Sequence, residues 1–122
     1  MNSGLSLAQI ALLAAYVVGM AGGQLLFKTA ALHLPGEAPL ATRLVSLLQN
    51  GFFLGAVALY AALSVLWVWV LTFTPLSRAY PFVAIAFALT PVLGGLVFAE
   101  PLSARLLIGL VVIVGGLYLV AG

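Results

Sequence analysis

Tyr16, Met20, Gln24 and Lys28 recur every four residues in an otherwise apolar segment, a spacing that places them on one slowly drifting stripe of a helix. If that helix is centred near Val18 in a bilayer, Gln24 lies about 9 Å from the midplane and Lys28 about 15 Å. Gln24 is then a hydrogen-bonding group at hydrocarbon depth, suited either to lining a cavity or to joining neighbouring helices. Lys28 sits at the hydrocarbon edge, where its ammonium either snorkels to lipid headgroups or forms the cationic rim of a cavity that reaches a phosphate. Arg78 and Tyr80 form a second such group: a planar guanidinium fork for phosphate oxygens and a hydroxyl for a sugar or phosphate, or else two interface anchors. Glu100, one of two acids in the chain, is expected to pair with Arg105 or with Lys28, or to bind an amine.

No constellation supports covalent or hydrolytic chemistry. The chain has no Asp, no Cys and a single His, and Ser103 has no evident base or orienting partner. An enzyme, a metal site and a bound cofactor are therefore not expected, His33 has no partner ligands nearby, and Glu37 reads as solvated. A net charge of +2 from isolated Lys28, Arg43, Arg78 and Arg105 offers no basic tract for nucleic acid.

The elements that must position these residues are transmembrane. The 122 residues are 66% apolar and only 5% charged, against about a quarter charged in an ordinary soluble domain. At ~20 residues per crossing, four spans and short loops use up the chain. The expectation is an all-α membrane protein, one domain over 1–122, with spans at about 5–32, 52–73, 77–99 and 104–121. The start of the chain, Met1 to Leu7, lacks the basic region of a signal peptide. Pro35, Gly36 and Pro39 mark the first loop. Leu40, Leu44, Leu47 and Leu48 recur at helical spacing over 40–49, which predicts an extended foot on the second span or, alternatively, a short helix lying in the interface. Trp67 and Trp69 near the far end of the second span read as interfacial anchors. Thr74 is expected to cap the third span with Pro75 at its first position.

Pro81 and Pro91 fall within the third span and are its expected hinges, Pro91 above all, because each removes a helix hydrogen bond. Gly19 and Gly23, and on the last span Gly109 and Gly116, form small-residue faces that allow close helix packing, within one protomer or between two. Arg43, Arg105 and Lys28 against Arg78 would place the first and third loops in the cytoplasm. A bias of so few charges leaves the reverse orientation and dual insertion open.

Ala21-Gly22-Gly23-Gln24-Leu25-Leu26-Phe27-Lys28, then Trp69-Val70-Leu71-Thr72-Phe73-Thr74-Pro75-Leu76-Ser77-Arg78-Ala79-Tyr80-Pro81, then Glu100-Pro101-Leu102-Ser103 before a Gly-rich final helix, follow an order that resembles the drug/metabolite transporter superfamily. The resemblance is to its small four-helix EamA-like members, in particular the subunits that flip aminoarabinose linked to undecaprenyl phosphate. It implies a small multidrug transporter-like fold, translocation of a polyprenyl-phosphate-linked sugar across the bacterial inner membrane, and a homodimer, parallel or antiparallel, or a heterodimer with a related subunit. Gln24, Lys28, Ala79, Tyr80, Pro81, Glu100 and Pro101 match those motifs. Arg78 departs from them, since its position in the aminoarabinose subunits resembles a small or apolar residue. The membrane-embedded Glu of the related small multidrug transporters would fall near Met20, where no carboxylate stands, so an exchange mechanism built on that Glu does not carry over. The competing expectations are an exporter of small amphiphiles and a non-transporting partner subunit.

Overall fold

The computed structural model describes residues 6–121. Its first helix, α1 (Leu7–Leu32), is closed at its start by a reciprocal cap in which the Ser6 hydroxyl accepts from the Gln9 N–H at 3.1 Å and the Gln9 side chain accepts from the Ser6 N–H at 2.9 Å. The expected start at Leu5 lies outside the described residues, and the cap begins the helix at Leu7. At ~1.5 Å per residue its 26 residues rise about 39 Å, more than a hydrocarbon layer of ~30 Å, so it tilts or projects.

Residues 40–49 do not extend the second span as a foot. They form a separate helix, α2 (Leu40–Leu48), and α3 (Gly51–Leu71) starts anew after Asn50. Asn50 makes the break because its backbone is extended and its side-chain oxygen accepts from the Phe52 and Phe53 N–H groups at 2.9 and 3.2 Å. The same side chain donates through Nδ2 to the Ala30 carbonyl at 3.2 Å, tying the foot of α3 to the end of α1.

Thr74 is not the cap of the third span. Pro75, with extended ψ 144°, occupies that position, and α4 (Leu76–Val83) begins one residue later. The Pro75 carbonyl accepts from the Arg78 and Ala79 N–H groups at 3.0 and 2.9 Å. Thr74 is 3% exposed, and its hydroxyl has no hydrogen-bond partner among the described residues. The helical span is then interrupted at Ala84, not at Pro91, which lies inside the continuous α5 (Ile85–Phe98). Pro81 has no N–H for the Ser77 carbonyl, and just beyond it the backbone tightens to three-residue bonds, Ala84 N–H to Pro81 O at 3.2 Å and Phe87 N–H to Ala84 O at 3.0 Å. Ala99 ends α5 in the left-handed conformation, φ 55°, ψ 33°. The last helix is α6 (Ala104–Ala121), with the Ser103 hydroxyl accepting from the Leu106 N–H at 3.1 Å.

The chain is all-helical over the described residues. Leu7–Leu32, Gly51–Leu71 and the paired α4–α5 segment Leu76–Phe98 are each long and apolar enough to cross a bilayer; Ala104–Val120 is apolar but shorter. The molecule is a multi-pass membrane protein. Its small core, Leu13, Val70 and Ala79 with Leu66, Trp67 and Phe82 around them, joins α1, α3 and α4. Val65, Val68, Ile108, Val111 and Leu119 are exposed, which suits a surface solvated by lipid.

Candidate binding groove along α1

The α1 stripe faces its neighbours along its length. At one end, the Tyr16 ring stacks on Trp67 of α3 at 4.9 Å, and Tyr80 of α4 meets Trp67 edge-on at 6.3 Å. Trp67 is therefore half-buried between helices, whereas Trp69 is exposed, edge-on to Phe73.

One turn further along α1, Tyr60 is the organising residue. Gly23 has no side chain, so the Tyr60 ring lies directly on the α1 backbone: a Cβ at Gly23 would stand 2.5 Å from Cε2. Gly19 makes the same room for Leu63. Phe27 stacks on the other side of the Tyr60 ring at 5.3 Å, nearly parallel. The Tyr60 hydroxyl donates to the Met20 carbonyl at 2.8 Å and accepts from Gln24 Nε2 at 2.8 Å. Because the single phenolic hydrogen is committed to Met20, the oxygen can only accept, and this fixes which end of the Gln24 carboxamide faces it.

At the far end of the stripe, Lys28 Nζ lies 3.2 Å from Glu100 Oε2, with the two side chains 44% and 45% exposed. Of the two partners expected for Glu100, the fold brings Lys28 and not Arg105. The reversal at Ala99 returns the chain over α5, so that Glu100 lies against Gly94, where a Cβ would stand 2.9 Å from Oε1, and Leu102 lies against Gly95.

Met20, Gln24, Ala86, Phe87, Thr90 and Pro91 line a cavity of about 370 Å³ between α1 and α5. A second, almost wholly apolar cavity of about 310 Å³ opens between the α4–α5 segment and α6, lined by Pro81, Phe82, Ile85, Val114, Leu117 and Tyr118.

Gln24 and Lys28 thus lie one turn apart on α1, Gln24 lining the cavity and Lys28 paired with Glu100, while Arg78 and Tyr80 belong to α4, where Tyr80 meets Trp67 edge-on. Gly109 and Gly116 have open space where a Cβ would be, so they pack no helix within this protomer, unlike Gly19 and Gly23. Tyr60, Thr90, Gly94 and Gly95 escaped the reading of the sequence. Tyr60 carried a signal, a lone hydroxyl between Ala, Leu and Val residues; Gly94-Gly95 did not, because their role depends on the turn that follows. Among the described residues no three His, Cys, Asp or Glu side chains cluster. No family model, curated protein or solved structure matches the chain.

Along α1 the stripe thus carries neutral hydrogen-bonding groups, aromatic rings packed on α3 and, at one end, a paired cation and anion.

Proposed function

We propose that this chain is a subunit of a flippase that moves a polyprenyl-phosphate-linked sugar across the bacterial inner membrane. In this reading α6 is a fourth crossing, and two subunits form the working unit. The observation that carries it is the placement of the cavity lined by Gln24 and Thr90 one helical turn from the Lys28–Glu100 pair, on the same face of α1.

A phosphorylated headgroup cannot enter hydrocarbon cheaply, since an unpaired charge there costs several kcal/mol or more. A groove open to lipid at its side removes that cost while the prenyl tail stays in the bilayer. The phosphate competes with the Glu100 carboxylate for the Lys28 ammonium, and the headgroup then passes to the cavity at Gln24 between α1 and α5. Arg78, on α4 near the opposite end, supplies a cation for the other side of the passage. The open glycine face of α6 at Gly109 and Gly116 permits close approach of a second subunit.

The test is reconstitution of the purified protein in vesicles carrying a fluorescent polyprenyl-phosphate hexose, with an impermeant quencher reporting its transfer between leaflets. Wild-type protein is expected to accelerate transfer and Lys28→Gln to slow it at least ten-fold. Transfer no faster than in protein-free vesicles would refute the reading. The apolar cavity beside α6 favours a second reading, an exporter of small amphiphiles, which predicts efflux of a soluble amphiphile in the same vesicles without any lipid-linked cargo.

A further inference from the structure

Three hydroxyl-bearing side chains in the helical spans turn back onto their own helix: Thr29 onto the Leu25 carbonyl, Ser64 onto the Tyr60 carbonyl and Thr72 onto the Trp69 carbonyl. Thr90 does not. Its hydroxyl makes no hydrogen bond among the described residues, although a helix offers it a carbonyl one turn back. The next residue is Pro91, which has no N–H to give the Phe87 carbonyl. Thr90, Pro91 and Phe87 all line the cavity that also holds Gln24.

We propose that the cavity between α1 and α5 is a subsite for a neutral, hydroxyl-bearing saccharide ring, with the Thr90 hydroxyl, the Phe87 carbonyl and the Gln24 carboxamide as its hydrogen-bonding groups. The proposal rests on the flippase reading and adds to it where the sugar is held and by what. The lining is mostly apolar, but an apolar tail would leave the Thr90 hydroxyl and the Phe87 carbonyl unpaired by the ligand, and a polar group without a partner costs several kcal/mol in hydrocarbon. An anion is also wrong: the cavity has no charged lining residue, and the Phe87 carbonyl would repel it. Sugar hydroxyls both donate and accept, as this set requires. Gln24 gives one N–H to Tyr60 and keeps its carbonyl and its second N–H, Thr90 donates and accepts, and Phe87 accepts. The apolar face of the ring has the Phe87 and Met20 side chains to lie on. The volume of about 370 Å³ falls at the small end of ligand cavities, ~300–1,000 Å³. In this role Pro91 exposes a backbone acceptor and is not a bending point.

Native mass spectrometry of the protein in phosphatidylcholine nanodiscs, doped equally with polyprenyl monophosphate and polyprenyl-phosphate hexose, tests the assignment. Wild-type protein is expected to retain the hexose lipid in preference to the monophosphate. Thr90→Val should lower that preference roughly ten-fold with monophosphate retention unchanged, and Thr90→Ser should keep it. Pro91→Ala, which restores an N–H to the Phe87 carbonyl, should lower it in the same direction. A wild-type preference that persists in both Thr90→Val and Pro91→Ala overturns the subsite while leaving the flippase reading standing, as does equal retention of the two lipids by wild type. Retention of neither lipid brings down the flippase reading and the subsite with it.

Discussion

The Lys28 ammonium lies 3.2 Å from the Glu100 carboxylate and so joins the C-terminal part of α1 to the turn between α5 and α6. The contact makes Lys28 a cation already engaged by an anion, so that a phosphate meets it in competition with Glu100.

Exchanging the two charges separates structure from recognition. Both side chains are nearly half exposed, so losing the pair costs no more than about 1 kcal/mol. The double variant Lys28→Glu with Glu100→Lys is expected to unfold at the wild-type denaturant midpoint yet to move a phosphate-linked lipid at least ten-fold more slowly. Wild-type transfer rates in that variant would remove Lys28 from the headgroup path.

Two neighbouring glycines predict opposite outcomes. A methyl at Gly23 collides with the Tyr60 ring, whereas Gly22 faces open space. Gly23→Ala should destabilise by roughly 1–3 kcal/mol through overpacking, and Gly22→Ala should be neutral or stabilise by up to ~1 kcal/mol. Equilibrium unfolding in mild detergent measures both.

Tyr60→Phe keeps the stacking on Phe27 and deletes the hydroxyl that Gln24 and Met20 share. The expected loss is about 1 kcal/mol, in keeping with the modest value of interhelical hydrogen bonds in membranes. A Gln24→Ala change made on the Tyr60→Phe background should then cost less than the same change in wild type, because the two residues act through one bond. Additive losses would show that the bond contributes nothing.

Ala99 holds a positive φ of 55°, a conformation that costs an alanine roughly 1 kcal/mol and a glycine little. Ala99→Gly is expected to raise stability by up to about 1 kcal/mol, read as an upward shift of the thermal midpoint. A lower midpoint would show that the turn is held by something other than backbone conformation.

Long apolar periodicity made the spans legible in the sequence, and α1, α3 and the α4–α5 segment fall within a few residues of their expected bounds. The stripe from Tyr16 to Lys28 was legible for the same reason. Local punctuation was less so. Asn50 separates α2 from α3 by a cap that competes with continuation of the helix, a contest that apolar spacing does not register. Prolines mark where a hydrogen bond is missing, not where the helix gives way, and the interruption at Ala84 follows Pro81 while α5 continues through Pro91. Trp67 at a span end reads the same whether it faces headgroups or a tyrosine, and only the packing of α1 on α3 separates the two. The partner of Glu100 depended on the direction the chain takes after Ala99.

The short helix α2 has no buried residue, and Leu40, Leu44, Val45 and Leu48 are all exposed. An oily edge so little covered by protein is suited to lie against lipid, with Arg43 on the same helix able to stay with water and headgroups. Such a segment behaves as a float. Set in a bilayer interface, it would resist both being drawn inward and being lifted away, and Asn50 and the end of α1 would ride at its level.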